Sequence, residues 1–308
     1  MARSGRRDKH FLDSFAMKSV IAHRGRFSCA RLVSPVLDGS VRQKKSGRSL
    51  GWRLQLTNTR VWFATGGLIA SISIAPACSQ ESNIPEGFVL VKDVVPSIVL
   101  DMRYYHGHNF MGRQIDGYLA PKSYLTRPAA MALKLVQDEL MELGLSLKIY
   151  DAYRPQRAVN EFIEWAENLD DTAAKAEFYP DLSKSMLFDE GYIAARSGHT
   201  RGSTLDLTIV PYPPPDEPDW SAQNQQSCKL PADQRFADNS LDMGVGYDCF
   251  DTLSWTDDDR IGPSQRAHRL LLKSLMEKHG FQNYPREWWH YSLVDEPFPD
   301  TYFDFPIR

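Results

Sequence analysis

Three stretches of the chain repeat apolar residues at helical spacing, and each carries its own start and stop signals. In the first, Ala130, Leu133, Leu135, Val136, Leu140 and Leu143 follow Thr126-Arg127-Pro128 and run up to Gly144. This predicts a helix with Thr126 as N-cap and Pro128 in the first turn. The second begins near Pro155 and sets Val159, Phe162, Ile163 and Trp165 on one face; the third runs from about Pro263 through Leu270, Leu271 and Leu275 to Gly280. Between them lie short runs of strand type at residues 97–104, 146–150, 204–210 and 288–294. Strands and helices in irregular order predict an α+β fold, with one domain over about residues 85–308 in which a central antiparallel sheet is flanked by helices. No repeat divides it. The one low-complexity patch, Pro211-Tyr212-Pro213-Pro214-Pro215-Asp216-Glu217-Pro218, cannot join a ladder or a helix interior and predicts a surface loop running toward Cys228.

The pattern changes near the N-terminus. Residues 61–77 (VWFATGGLIASISIAPA) carry no charge, follow a basic flank and end in Ala75-Pro76-Ala77. A basic flank, a short apolar run and a small-x-small end are the parts of an export signal. The run falls short of the roughly 20 apolar residues that a spanning helix needs, which makes an uncleaved anchor the weaker alternative. Cys78 directly follows and resembles a lipoprotein's attachment cysteine, so the mature N-terminus is either lipid-anchored there or simply cleaved. Residues 1–78 are thus expected to be a leader plus export signal, with a start at Met17 as one explanation for its length. The mature protein is expected in the periplasm or at the cell envelope, without a transmembrane domain.

Composition describes an ordinary globular chain: 308 residues, 42% hydrophobic, 24% charged, formal net charge −3. Collagen, coiled coil, disorder and a polytopic membrane protein are excluded. The charge is uneven, because residues 1–60 hold 14 Lys and Arg against 3 Asp and Glu, whereas residues 61–308 hold 22 against 36. Such an acidic body offers nothing to nucleic acid. Of four cysteines, Cys29 lies in the leader and Cys78 at its end; in an oxidising compartment the remaining Cys228 and Cys249 are expected to pair, the alternative being two free thiols.

The segment Ser197-Gly198-His199-Thr200-Arg201-Gly202-Ser203-Thr204-Leu205-Asp206 sets a His and an Asp seven apart across a turn into a strand. Imidazole plus carboxylate is a normal partial shell for Zn²⁺. About 80 residues on, Glu287 and His290 flank two tryptophans in Arg286-Glu287-Trp288-Trp289-His290-Tyr291. Two His and one Asp leave a fourth position for water, and a nearby Glu that is not a ligand can take that water's proton. His106, His108, His268 and His279 are expected to be structural or surface residues, and Trp288 and Trp289 to pack.

With Tyr150-Asp151-Ala152-Tyr153-Arg154-Pro155 upstream, these motifs resemble the D-alanyl-D-alanine dipeptidases, zinc enzymes of the wider group that contains D,D-carboxypeptidases, murein endopeptidases and hedgehog domains. The likeness extends to Asp101-Met102-Arg103-Tyr104, Asn109-Phe110-x-Gly112, Ile115-Asp116-Gly117-Tyr118, Gly191-Tyr192, Asp242-Met243-Gly244 and the terminal Tyr302-Phe303-Asp304-Phe305-Pro306. It implies one zinc per chain on His199, Asp206 and His290, Glu287 as the base that later protonates the leaving amine, and Arg154 on the oxyanion. It further implies that Asp248 and Tyr104 grip the free amine of a small D,D-dipeptide, with Ser197 beside it. Thr204 stands where the family has Ala, and the stretch 211–241 is longer than the family's connection there. The alternatives are a D,D-carboxypeptidase or endopeptidase acting on peptidoglycan stem peptides, and a non-catalytic zinc-containing wall-binding module. The sequence leaves oligomeric state open.

Overall fold

The computed structural model describes residues 84–308. The export signal, Cys78 and the basic leader lie outside the described residues. Within them, strands β1 (Phe88–Leu90), β2 (Val99–Leu100), β3 (Tyr124–Thr126), β4 (Leu145–Asp151), β5 (Thr204–Pro211), β6 (Phe281–Asn283) and β7 (His290–Leu293) accompany helices α1 (Val91–Val94), α2 (Arg103–His106), α3 (Arg127–Glu142), α4 (Gln156–Glu167), α5 (Lys175–Phe178) and α6 (Pro263–Lys278). The fold is α+β. Five strands form one sheet in the order β2-β4-β5-β7-β6, and β1 pairs with β3 in a separate ribbon. All neighbours run antiparallel except β2 and β4, so the expected antiparallel sheet has one parallel edge.

The three periodic stretches are the three long helices. Gly144 ends α3 at φ +68, the left-handed conformation that glycine adopts without strain. Thr126 is the N-cap residue by position, but its hydroxyl does not cap; it bonds Ser203 Oγ at 2.7 Å and ties the ribbon to the turn before β5. The run at 97–104 keeps only two residues in a strand, because Asp101 turns back to accept from Arg103 Nε at 2.5 Å and α2 begins there.

Strand β5 explains where the site can form. Leu205, Leu207 and Ile209 alternate with Asp206 and Thr208, so the first set enters the core that includes Leu133, Val136 and Leu272 while the second set points to the other face. On that other side a second core of aromatic residues gathers around α4, with Tyr104, Phe110, Phe162, Trp165 and Phe250. Trp288 and Trp289 are both buried, as packing residues should be. No described helix is long and apolar enough to cross a membrane.

Candidate active site

Strand register brings the chemistry together. Asp206 of β5 is the direct partner of His290 of β7 on one side and of Asp151 of β4 on the other, where β4 is irregular between Ile149 and Asp151. Directly opposed residues share a face of the sheet, so the three side chains form one row across it. His199 joins them from a single 3₁₀ turn, Gly198–Arg201, which ends at Gly202. Only glycine fits there: φ is +83, and a Cβ would stand 2.2 Å from the ring of Phe88. Thr204, the departure from the family pattern, bonds Ser292 Oγ at 2.7 Å across the strands, and its hydroxyl fills the space beside Gly198.

Three donor atoms converge. His199 Nε2 lies 3.3 Å from His290 Nδ1 and 3.3 Å from Asp206 Oδ1, and the latter two are 3.1 Å apart. A tetrahedral metal with bonds of about 2.0–2.1 Å sets its ligand atoms about 3.3–3.4 Å apart, so the triangle fits a zinc ion. Two further details support that fit. Asp206 Oδ1 is buried and has no hydrogen-bond partner. His199 Nδ1 donates to the carbonyl of Ala152 at 2.7 Å, which leaves Nε2 with its lone pair directed at the centre. Among the described residues this is the one cluster of metal-ligating side chains.

The other expected residues surround the triangle. Glu287 Oε2 stands 3.4 Å from His290 Nδ1, and burial, only partly offset by His290, raises its pKa to about 7. Arg154 donates through Nε to Asp151 Oδ2 at 2.9 Å, reaches within 3.6 Å of Asp206 Oδ2, and packs over the rings of Tyr104 and Phe162. Tyr104 donates its hydroxyl to Asp248 Oδ2 at 2.8 Å. Burial pushes the Asp248 carboxyl well above the usual carboxylate range, and the charge of Asp206 adds to the effect. For Asp206 burial acts in the same direction, but the two imidazoles outweigh it and hold the group below its ordinary value. Ser197 Oγ accepts from the backbone N–H of His199 at 3.3 Å, so it shapes the histidine turn as well as facing the cavity.

All eight expected side chains line one cavity of about 230 Å³, walled by Phe110, Phe162, Tyr192, Phe250 and Tyr284. Two contributors were not singled out from the sequence. Asp151 lies 3.4 Å from His199 Nδ1, anchors Arg154 and accepts from Tyr118 at 2.7 Å; it belongs to the quoted Tyr150–Pro155 motif, which was the available signal. Tyr247 donates to Asp206 Oδ2 at 3.0 Å and precedes Asp248 in the chain. Cys228 and Cys249 are joined, with Cα atoms 5.6 Å apart, and His106 and His108 form no metal cluster.

Comparison with known proteins shows the family. The family model described as D-ala-D-ala dipeptidase matches residues 85–212 and 217–308. The chain is 39% identical to a D-alanyl-D-alanine dipeptidase of Streptomyces coelicolor over 220 residues, covering 71% of this chain and 98% of that protein. It is 34% identical to that of Enterococcus faecalis over 221 residues, 72% and 98% of the two chains, and 28% identical to that of Escherichia coli over 200 residues, 65% and 81%. A register that sets Asp206 against His290, a glycine-closed turn that supplies His199 and a match across nearly the full length of its relatives make this chain a member of the D-Ala-D-Ala dipeptidase family.

Proposed function

We propose that the protein is an exported zinc metallopeptidase that hydrolyses the D-Ala-D-Ala dipeptide. The observation that carries this reading is the convergence of three donor atoms, from buried His199 and Asp206 and half-buried His290, each about 3 Å from the others, on a cavity that also holds Glu287, Arg154 and Asp248. His199, Asp206 and His290 would hold the zinc, which when bound supplies Lewis acidity and makes a water acidic enough to ionise near neutral pH. Glu287 accepts the proton of the attacking water and returns it to the leaving amine; burial gives it a pKa about 7, suited to both transfers. Arg154, fixed by Asp151 and two aromatic rings, offers a preorganised cation to the oxyanion.

Specificity for a dipeptide follows from the amine end. Asp248 is buried, and its one hydrogen-bond partner is the neutral hydroxyl of Tyr104. A substrate ammonium supplies the missing charge, whereas the amide of a longer chain does not. Export, read from residues 61–77, would bring the enzyme to dipeptides released from the cell wall, in scavenging or wall turnover.

The test uses protein beginning after Cys78, loaded with zinc, assayed for D-Ala release from D-Ala-D-Ala and from a stem pentapeptide, beside Glu287→Ala. Cleavage of the dipeptide alone, abolished in the variant although zinc stays bound, is the expected result. Cleavage of the pentapeptide would reassign the protein as a D,D-carboxypeptidase, and no cleavage of either would favour a binding module.

A further inference from the structure

We infer that Tyr247 is a positioning residue for the metal: its hydroxyl locks the carboxylate of Asp206 so that one oxygen is held and the other offered. This rests on the zinc reading above. The two oxygens of Asp206 stand in different surroundings. Oδ1 faces the two imidazole nitrogens and has no hydrogen-bond partner, while Oδ2 accepts from Tyr247 at 3.0 Å. Arg154 comes no nearer to Oδ2 than 3.6 Å, beyond hydrogen-bond reach, and its Nε is engaged by Asp151. Tyr247 is therefore the hydrogen-bond donor that fixes the rotation of this carboxylate.

The single phenol hydrogen has two candidate acceptors. Tyr104 Oη lies at 3.5 Å and Asp206 Oδ2 at 3.0 Å, and a charged acceptor at the shorter distance wins. Tyr104 spends its own hydrogen on Asp248. Tyr247 thus serves the metal side and Tyr104 the amine side, and the two phenols touch without competing.

The ring of Tyr247 is held on several sides. It stacks on Tyr150 with centroids 4.3 Å apart and meets the edge of Trp289 at 5.4 Å. Tyr150 is in turn fixed by Asp238, which accepts its hydroxyl, and by the Arg103 guanidinium 5.0 Å from its ring centroid. Asp238 belongs to the loop 211–241, which also clamps the buried Lys148 of β4 through Glu217 and Asn239, each at 3.0 Å. On the backbone, Gly246 N–H donates to the carbonyl of Cys228 at 2.9 Å, and Cys228 is bridged to Cys249. Asp248 takes φ +54, a left-handed conformation that non-glycine residues seldom adopt. That turn lets consecutive side chains reach the metal ligand and the amine grip.

Outer hydrogen bonds of this kind typically alter metal affinity 10- to 100-fold. The experiment measures zinc affinity by competition with a chromogenic chelator for the parent, Tyr247→Phe and Tyr150→Phe, with thermal unfolding of each metal-free protein recorded alongside. Tyr247→Phe keeps the ring stack and removes only the hydroxyl; it is expected to bind zinc roughly 10- to 100-fold more weakly while the metal-free protein still unfolds cooperatively, its melting temperature lowered only by the few degrees that one lost hydrogen bond accounts for. Tyr150→Phe keeps the stack and the Tyr247 hydroxyl, and is expected to bind zinc as the parent does. Equal affinity of Tyr247→Phe and the parent overturns the inference, and so does an equal loss in Tyr150→Phe, which would mark a general loosening. A parent that binds no zinc overturns the metal reading and this inference with it, so the two failures are distinguishable.

Discussion

Arg154 grips Asp151 through Nε at 2.9 Å and brings a second guanidinium nitrogen to 3.6 Å from Asp206, so one cation spans two neighbours in the cross-strand row. Asp151 in turn stands 3.4 Å from His199 Nδ1, which couples the orientation of the arginine to that of the histidine. A fork held this way is preorganised for an oxyanion, and removing such a donor costs about 2.7–4 kcal/mol of barrier. Arg154→Ala is expected to lower kcat by roughly 10²- to 10³-fold with zinc content unchanged. Arg154→Lys should recover little of it, because an ammonium lacks the planar fork. Steady-state kinetics with metal analysis decides; a rise in KM with kcat intact would leave Arg154 as a structural ion-pair partner.

The proposed amine grip makes a second prediction. Tyr104 is a neutral partner at 2.8 Å, and burial lifts Asp248 well above the carboxylate range, so the ionised form gains from a substrate ammonium. A hydrogen bond to a charged group contributes about 1.5–3 kcal/mol, equivalent to roughly 10- to 150-fold. N-acetyl-D-Ala-D-Ala should be cleaved less efficiently than D-Ala-D-Ala by that factor, and Asp248→Asn should raise KM for the free dipeptide while barely changing the acetylated one. Equal kcat/KM for both substrates in the parent would show that the amine is not recognised.

As the proposed base, Glu287 is expected to set the acidic side of the pH profile. Burial raises its pKa to about 7 although His290 opposes the shift. A base works only when deprotonated, so kcat/KM falls as pH drops through this group's pKa. A cation held by His199, Asp206 and His290 favours the carboxylate, which moves the midpoint below about 7. The expected profile is a one-proton acidic limb with that midpoint, absent from the residual rate of Glu287→Gln. A profile that stays flat down to about pH 5 would remove Glu287 from the proton transfer.

The long helices were legible because their apolar residues recur at 3.6-residue spacing over three turns or more and meet Pro at the start and Gly at the end, as α3 does between Pro128 and Gly144. The side chains that the structure brings together were legible because His199 with Asp206 and Glu287 with His290 fall in two short local motifs. What stayed hidden depends on register and on loops. That Asp206 faces His290, and that Asp151 completes the row, follows from strand pairing across separations of more than fifty residues. Tyr247 reaches Asp206 from a loop with no periodicity at all. The edge strand β2 was overestimated because the alternation Leu100-Asp101-Met102-Arg103-Tyr104 continues in sequence past the point where Asp101 and Arg103 bond each other and end the strand. Its parallel direction is set by the crossover through α2, β3 and α3, which no local pattern encodes.

The disulfide ties Asp248, the proposed amine grip, to the rest of the domain. It joins residues 21 apart in sequence, and closing a loop of that length stabilises by about 3 kcal/mol on the chain-entropy account. In a domain of this size each kcal/mol moves Tm by roughly 2–4 °C, so reduction should lower Tm by roughly 6–12 °C. The effect on function should be uneven. Cys249 directly follows Asp248 in the chain, whereas Asp206 and His290 are held by β5 and β7 independently of the bridge. Cys228→Ser is therefore expected to raise KM for D-Ala-D-Ala more than it lowers kcat, with zinc retained. Calorimetry with and without reductant, together with kinetics of the variant, tests both parts. An unchanged Tm would mean that the loop holds its place through Lys148, Arg103 and Tyr150 alone, and a loss of kcat at constant KM would mean that the bridge supports the metal side rather than the amine side.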